Sequence, residues 1–276
     1  VMIELMMVRL PEIVIVIYAL SILLYFFDFL EHNRKANRLA FLFLSIVWIL
    51  QTIFLCLYML RTGRFPVLTL FEGLYFYSWI LITLSLIIHR ILKVDFTVFF
   101  TNLLGFTIMA IHAFAPIQRP AMAEQLISEL LFIHITMAIL SYGAFTLSFV
   151  FSVLYLLQYK LLKGKKWIKR LWRLSDLAKL EKISYVLNLI GVPTLLLSLI
   201  LGLQWAFMKL SFFQWYDPKI IGSFFILLIY SLVLYLHRKK EVFGKTLALW
   251  NSAAFLIVLI NFIYISRLSN FHIWYE

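Results

Sequence analysis

Residues 202–237 read GLQWAFMKLSFFQWYDPKIIGSFFILLIYSLVLYLH, and the rest of the chain falls into place around them. One apolar helix ends, a short aromatic turn follows, and a second apolar helix runs to His237. The turn, residues 209–219, carries Phe212, Phe213, Trp215 and Tyr216 and is closed by Asp217-Pro218. Aromatic rings and a carboxylate at the mouth of two membrane helices make a flat apolar surface with a polar rim, which suits a planar amphipathic ligand such as a porphyrin. The same residues also fit an ordinary aromatic belt, because Trp and Tyr collect at membrane interfaces.

Composition sets the class. Of 276 residues 64% are hydrophobic and only 14% charged, with a mean hydropathy of +0.97. A soluble core cannot bury that much apolar surface, whereas repeated runs of about 20 apolar residues hide it in lipid. Eight spans are expected, at about 10–30, 39–60, 71–92, 96–115, 126–159, 184–208, 219–237 and 246–266, giving an all-α polytopic bundle in one domain over 1–276. The first run is as long as the later ones and lacks a small-residue cleavage site, so it reads as a span and not a signal peptide. A single cysteine, Cys56, excludes an intrachain disulfide and a CxxC motif.

Basic residues alternate from one connection to the next. Those after spans one, three, five and seven hold 18 of the 25 Lys and Arg. The positive-inside rule then places both termini outside the cytoplasm. The net charge of +12 is thereby a topology signal and a contact for anionic lipid, not a nucleic-acid surface. The largest basic block, residues 160–182, also carries Trp167, Ile168, Leu171, Trp172, Leu174 and Leu177. That mixture fits a helix lying in the inner interface or a docking site for a cytosolic partner. Span five, at 34 positions, would reach ~50 Å against a hydrocarbon core of ~30 Å. Its first residues, to about Phe132, are expected in or above the outer interface, with His134 near the boundary.

Six histidines sort into two levels. His112, His134 and His272 lie on the outer side; His32, His89 and His237 lie on the inner side. An iron with two axial imidazoles needs one histidine from each of two facing segments at the same depth, and both levels offer such pairs. Histidines at helix ends also serve simply to face headgroups, the reading adopted for His32 in its basic connection. Glu12, Asp28 and Glu72 sit near span ends, where hydration accounts for them and a proton path is the alternative. GxSxG, HExxH and glycine-rich phosphate loops are absent from the sequence. Nine glycines and no repeat between halves give no support to a broken-helix carrier. No enzyme is read here.

Residues 202–219 resemble the tryptophan-rich segment of the CcsA/ResC/CcmC family of heme-handling proteins used in cytochrome c assembly, G-x-x-W-A-x-x-x-W-G-x-x-W-x-W-D-P-K. The chain keeps Gly202, Trp205, Ala206, Asp217, Pro218 and Lys219, and has Leu210, Ser211, Gln214 and Tyr216 where the family has Trp, Gly, Trp and Trp. Residues 71–79 (FEGLYFYSW) look like the family's third-span entry. Phe132-Ile133-His134 with Ser141-Tyr142-Gly143 looks like its histidine-led helix, and Tyr235-Leu236-His237 like its Y-L-H. The degraded centre is most similar to the eight-span HemX branch of Gram-positive plasma membranes.

The resemblance implies non-covalent b-type heme, with His134 and His272 as outer axial ligands and His237 in a deeper site. It also implies heme contact by Trp205, Trp215, Tyr216 and Asp217. His89 is offered as the inner partner of His237 from depth alone, and His112 as an alternative ligand. For the branch it implies a regulator of heme biosynthesis that lowers glutamyl-tRNA reductase, acting on that enzyme or its proteolysis machinery at the cytoplasmic face. The other function it allows is a heme exporter or chaperone working with cytochrome c assembly proteins.

Overall fold

The computed structural model describes residues 2–92, 95–114, 128–164, 176–209 and 216–265. The described residues form eight helices: α1 (Met2–Glu31), α2 (Arg34–Thr62), α3 (Leu70–Leu92), α4 (Asp95–Ala113), α5 (Glu129–Lys163), α6 (Leu177–Lys209), α7 (Pro218–Arg238) and α8 (Gly244–Ile263). Among the described residues there is no strand. All eight helices are long and apolar enough to cross a membrane, matching the eight expected spans with ends shifted by up to eight residues. The long fifth span runs 35 residues, and α6 runs 33. Each is ~50 Å at 1.5 Å per residue, well beyond a bilayer core. The amphipathic helix expected within 160–182 falls largely on residues 165–175, outside the described residues.

The chain forms two compact units, Val1–Ile117 and Gln118–Glu276. In the first, the α1–α2 connection is two residues long because His32 takes a left-handed φ of 58° and Asn33 caps α2 through the amides of Lys35 and Ala36. Lipid gives helices no hydrophobic reason to associate, so close packing and interhelical hydrogen bonds hold them, the bonds at ~0.6 kcal/mol each. Ser21 Oγ donates to the Ala40 carbonyl at 2.8 Å. Tyr18 Oη donates to Asn102 Oδ1 at 3.0 Å, and Asn102 Nδ2 to Ser85 Oγ at 2.8 Å. These bonds join α1 to α2, and α1 through α4 to α3.

At the end of this unit where α3 begins, Glu72 is buried. It accepts both guanidinium nitrogens of Arg64, at 2.9 and 2.8 Å, the Tyr58 hydroxyl and the amides of Leu68 and Thr69. The carboxylate is therefore neither hydrated nor poised as a proton carrier. It anchors the connection from α2 onto α3.

In the second unit α5 and α6 approach closely through small residues. Ser141 Oγ donates to the Gly191 carbonyl and Ser148 Oγ to the Ser184 carbonyl, each at 2.9 Å. A Cβ at Gly191 would lie 2.6 Å from the Phe145 ring, so only glycine admits that ring, which stacks on Tyr230 of α7 at 3.9 Å. Asn251 of α8 inserts its amide among Ser148, Ser152 and Ser184 at 2.7–2.9 Å and accepts from Asn188 at 3.0 Å. Three helices thus share one buried polar knot, a stronger restraint on register than apolar packing alone.

Candidate functional site

His134 lies in the second turn of α5, whose first turn is capped by Ser128 accepting from the Leu131 amide. Its Nδ1 sits 2.6 Å from the Ser198 carbonyl oxygen on α6. A carbonyl can only accept, so Nδ1 carries the proton and Nε2 holds the lone pair. Ser198, itself buried, also donates its hydroxyl to the His134 carbonyl at 2.9 Å, with Oγ 3.1 Å from Nδ1. Nε2 has no hydrogen-bond partner among the described residues. An imidazole held through Nδ1 by a backbone carbonyl, with Nε2 open, is the arrangement that metal-ligating histidines use.

The residues of the tryptophan-rich segment continue from this point along α6. Gly202 stands one turn beyond Ser198, beside the His134 ring. Trp205 and Ala206 are buried. Beyond the aromatic turn, Asp217 caps α7 by accepting from the Lys219 amide at 2.8 Å, with Pro218 as the first helical residue, where its missing N–H costs nothing. Lys219 donates to the Asn261 carbonyl of α8 at 3.1 Å and lies within electrostatic reach of His134. Tyr216 is 70% exposed, so its ring is available to something other than the fold. Trp215 and His272 lie outside the described residues.

His237 ends α7 at the opposite end of the same unit. Its Nδ1 bonds the Val242 carbonyl at 3.0 Å, Glu181 Oε1 is 3.9 Å away, and the ring packs on Tyr185 at 4.7 Å. Along α6, Tyr185 and Ser198 are 13 residues apart, about 20 Å of rise. His134 and His237 therefore cannot share an iron. In the first unit, His112 of α4 is buried, bonds the Phe71 carbonyl through Nδ1 at 2.8 Å, and lies 3.9 Å from the Phe71 ring and 5.1 Å from Tyr75. Its Nε2 is enclosed without a partner. His89 sits at the other end of that unit, against Phe41 at 4.9 Å. About 27 Å of helix rise separates Phe71 from His89, so those two histidines too belong to different levels.

Sequence reasoning missed Ser198, the Lys219–Asn261 contact and the Arg64–Glu72 anchor. Ser198 and Gly202 are small residues at i and i+4, on one helix face, just before the motif's tryptophan, but that spacing does not say that the Ser198 carbonyl meets an imidazole.

Residues 67–272 match the model of the cytochrome C assembly protein family. The chain is 59% identical to Protein HemX of Bacillus subtilis (strain 168), over the full length of both. It is 46% identical to Protein HemX of Brevibacillus brevis, over 96% of this chain and 97% of that one. It is 25% identical to the cytochrome c biogenesis protein CcsA of Chlamydomonas reinhardtii, over 82% of this chain and 65% of that one. With eight helices fit to cross a membrane, such relatives make this a multi-pass plasma-membrane protein of a Gram-positive bacterium.

Proposed function

Because the chain belongs to the cytochrome c assembly protein family, we propose that it binds heme where α5 begins, with His134 and His272 as axial ligands. In this reading the bound state restrains heme biosynthesis by lowering the amount of glutamyl-tRNA reductase. The single observation that carries the ligand assignment is the His134 imidazole, neutral, fixed through Nδ1 and open at Nε2. The surrounding residues suit such a group. Trp205 and Ala206, both buried, back the site with apolar packing, the exposed Tyr216 offers a ring at the rim, and the Lys219 cation complements the carboxylates that heme carries. Heme bound there supplies a planar ligand whose occupancy reports its own supply.

The charge alternation puts this end of α5 outside the cytoplasm and the basic connections inside, where a cytosolic enzyme or its protease is reached. Leu210 and Gln214 remove two indole rings from the platform, and Tyr216 leaves a smaller ring where the family has a third. That loss favours regulation over heme delivery to an apocytochrome, the second reading.

The test is the absorption spectrum of the detergent-purified protein beside His134→Ala and His272→Ala. Six-coordinate low-spin heme that is lost or becomes high-spin in the variants supports the site. A wild type that is colourless and takes up no added heme removes it. Deleting the gene then separates the functions: raised reductase with normal cytochrome c is expected for regulation, and normal reductase with lost cytochrome c for delivery.

A further inference from the structure

We infer that Ser198 and Gly202 are positioning residues for His134, forming a seat on α6 that fixes the imidazole in its Nδ1–H form before any ligand arrives. The consequence for iron ligation rests on the heme reading above; the seat itself is a property of the heme-free protein.

Two independent contacts define it. Ser198 grips His134 at both ends of the residue, its carbonyl taking Nδ1–H at 2.6 Å and its hydroxyl donating to the His134 backbone carbonyl at 2.9 Å. One buried residue therefore sets the ring's tautomer and its height along α5. Gly202 sets the ring's lateral position. A Cβ there would stand 2.6 Å from both Cε1 and Nδ1 and 3.1 Å from Nε2. Cβ is fixed to the backbone, so the ring would have to leave the Ser198 carbonyl to make room. On helix propensity alone alanine at 202 would gain about 1 kcal/mol over glycine. The position is thus one where space for the imidazole outweighs local helix stability.

Bonding Nδ1–H to a carbonyl does two things for Nε2: it leaves the lone pair there and raises its basicity as a ligand. With the ring already oriented, binding loses little side-chain entropy at His134. Neither effect needs the Ser198 hydroxyl to touch the ligand.

The experiment uses the full chain in detergent, labelled with 15N-histidine, with His134 assigned by loss of its signals in His134→Ala. In heme-free protein the proton is expected on Nδ1. Hemin titration of Gly202→Ala should show a dissociation constant raised about 10- to 100-fold, the range for losing a ligand's supporting partner. Ser198→Ala keeps the backbone carbonyl that takes Nδ1–H and loses only the hydroxyl bond to the His134 carbonyl, so its tautomer should stay and its dissociation constant should rise by less than that of Gly202→Ala. Ser198→Thr, which keeps the hydroxyl, should stay within about twofold by the same reasoning. Gly202→Ala should also broaden the low-spin electron paramagnetic resonance spectrum, because the ring no longer has one orientation. A proton on Nε2 in the wild type overturns the seat. So does a folded Gly202→Ala with wild-type tautomer, affinity and spectrum, since helix packing alone would then account for the glycine. If the wild type takes up no hemin, the heme reading fails, and the tautomer measured without heme still decides the seat.

Discussion

Glu72→Gln should be among the most damaging single changes in the first unit. The carboxylate receives five hydrogen bonds, two of them from Arg64. The Arg64 side chain is 14% exposed and that of Glu72 1%. Two carboxylate oxygens offer about four lone pairs, so the anion is saturated. An amide in its place turns two N–H donors toward groups that are themselves donors and leaves the guanidinium without a counter-charge. Removing one partner of a buried pair costs about 3–5 kcal/mol. At about 2–4 °C per kcal/mol for chains of this size, the melting temperature of the detergent-purified protein should fall by roughly 10 °C, read by circular dichroism. The double variant Arg64→Met/Glu72→Met should recover most of the loss, because replacing a buried pair by apolar side chains is close to neutral. Trypsin should cut Glu72→Gln after Arg64 faster than the wild type, since the 63–69 connection loses its anchor. A Glu72→Gln protein melting within about 2 °C of wild type, well below the smallest shift that coefficient allows, would refute the reasoning. The carboxyl would then be neutral already, and a proton path through it would come back into consideration.

His112→Ala should keep the heme spectrum that His134→Ala loses, because the His112 Nε2 is enclosed within its own unit. Its cost should appear as a lower melting temperature instead, and a lost spectrum would make His112 a ligand. Gly191→Ala should destabilise by about 1–3 kcal/mol, the usual effect of overpacking, because its Cβ meets the Phe145 ring that stacks on Tyr230. Thermal unfolding that matched wild type would mean the α5–α6 contact relaxes freely. Heme affinity should fall on acidification and not on mild alkalinisation, because ligation needs neutral imidazole and a proton on Nε2 competes with iron. A heme spectrum that persists unchanged until the protein unfolds in acid would argue against histidine ligation.

The eight helices were legible because lipid demands long uninterrupted apolar runs, and no other pattern in 276 residues imitates them. The separation of His134 from His237 in one unit, and of His112 from His89 in the other, was legible for the same reason: once span order is known, position along each helix follows from counting. The partners inside each unit were not. Ser198 is one of many serines in apolar helices, and nothing in its sequence neighbourhood says that its carbonyl faces an imidazole 64 residues away. Glu72 was read as hydrated because it sits near a span end. Its real environment depends on Arg64 and two amides folding back over it, a tertiary arrangement with no periodic signature. The same holds for Asn251, whose four partners come from two other helices.

Three imidazoles, those of His112, His134 and His237, make the same bond, Nδ1 to a backbone carbonyl. That common device separates position from role. In a neutral ring it leaves the lone pair on Nε2, so tautomer alone does not distinguish ligand from structural histidine; what surrounds Nε2 does. At His112 the ring lies against Phe71 and Tyr75 and Nε2 is sealed, which makes the residue part of the packing between α3 and α4. At His237 the ring packs on Tyr185 with Glu181 close by, tying the α7–α8 turn to α6. At His134 the neighbours include a glycine that makes room for the ring and a cation within electrostatic reach. A site that binds a large planar anion uses both, and a histidine that merely closes a helix pair needs neither.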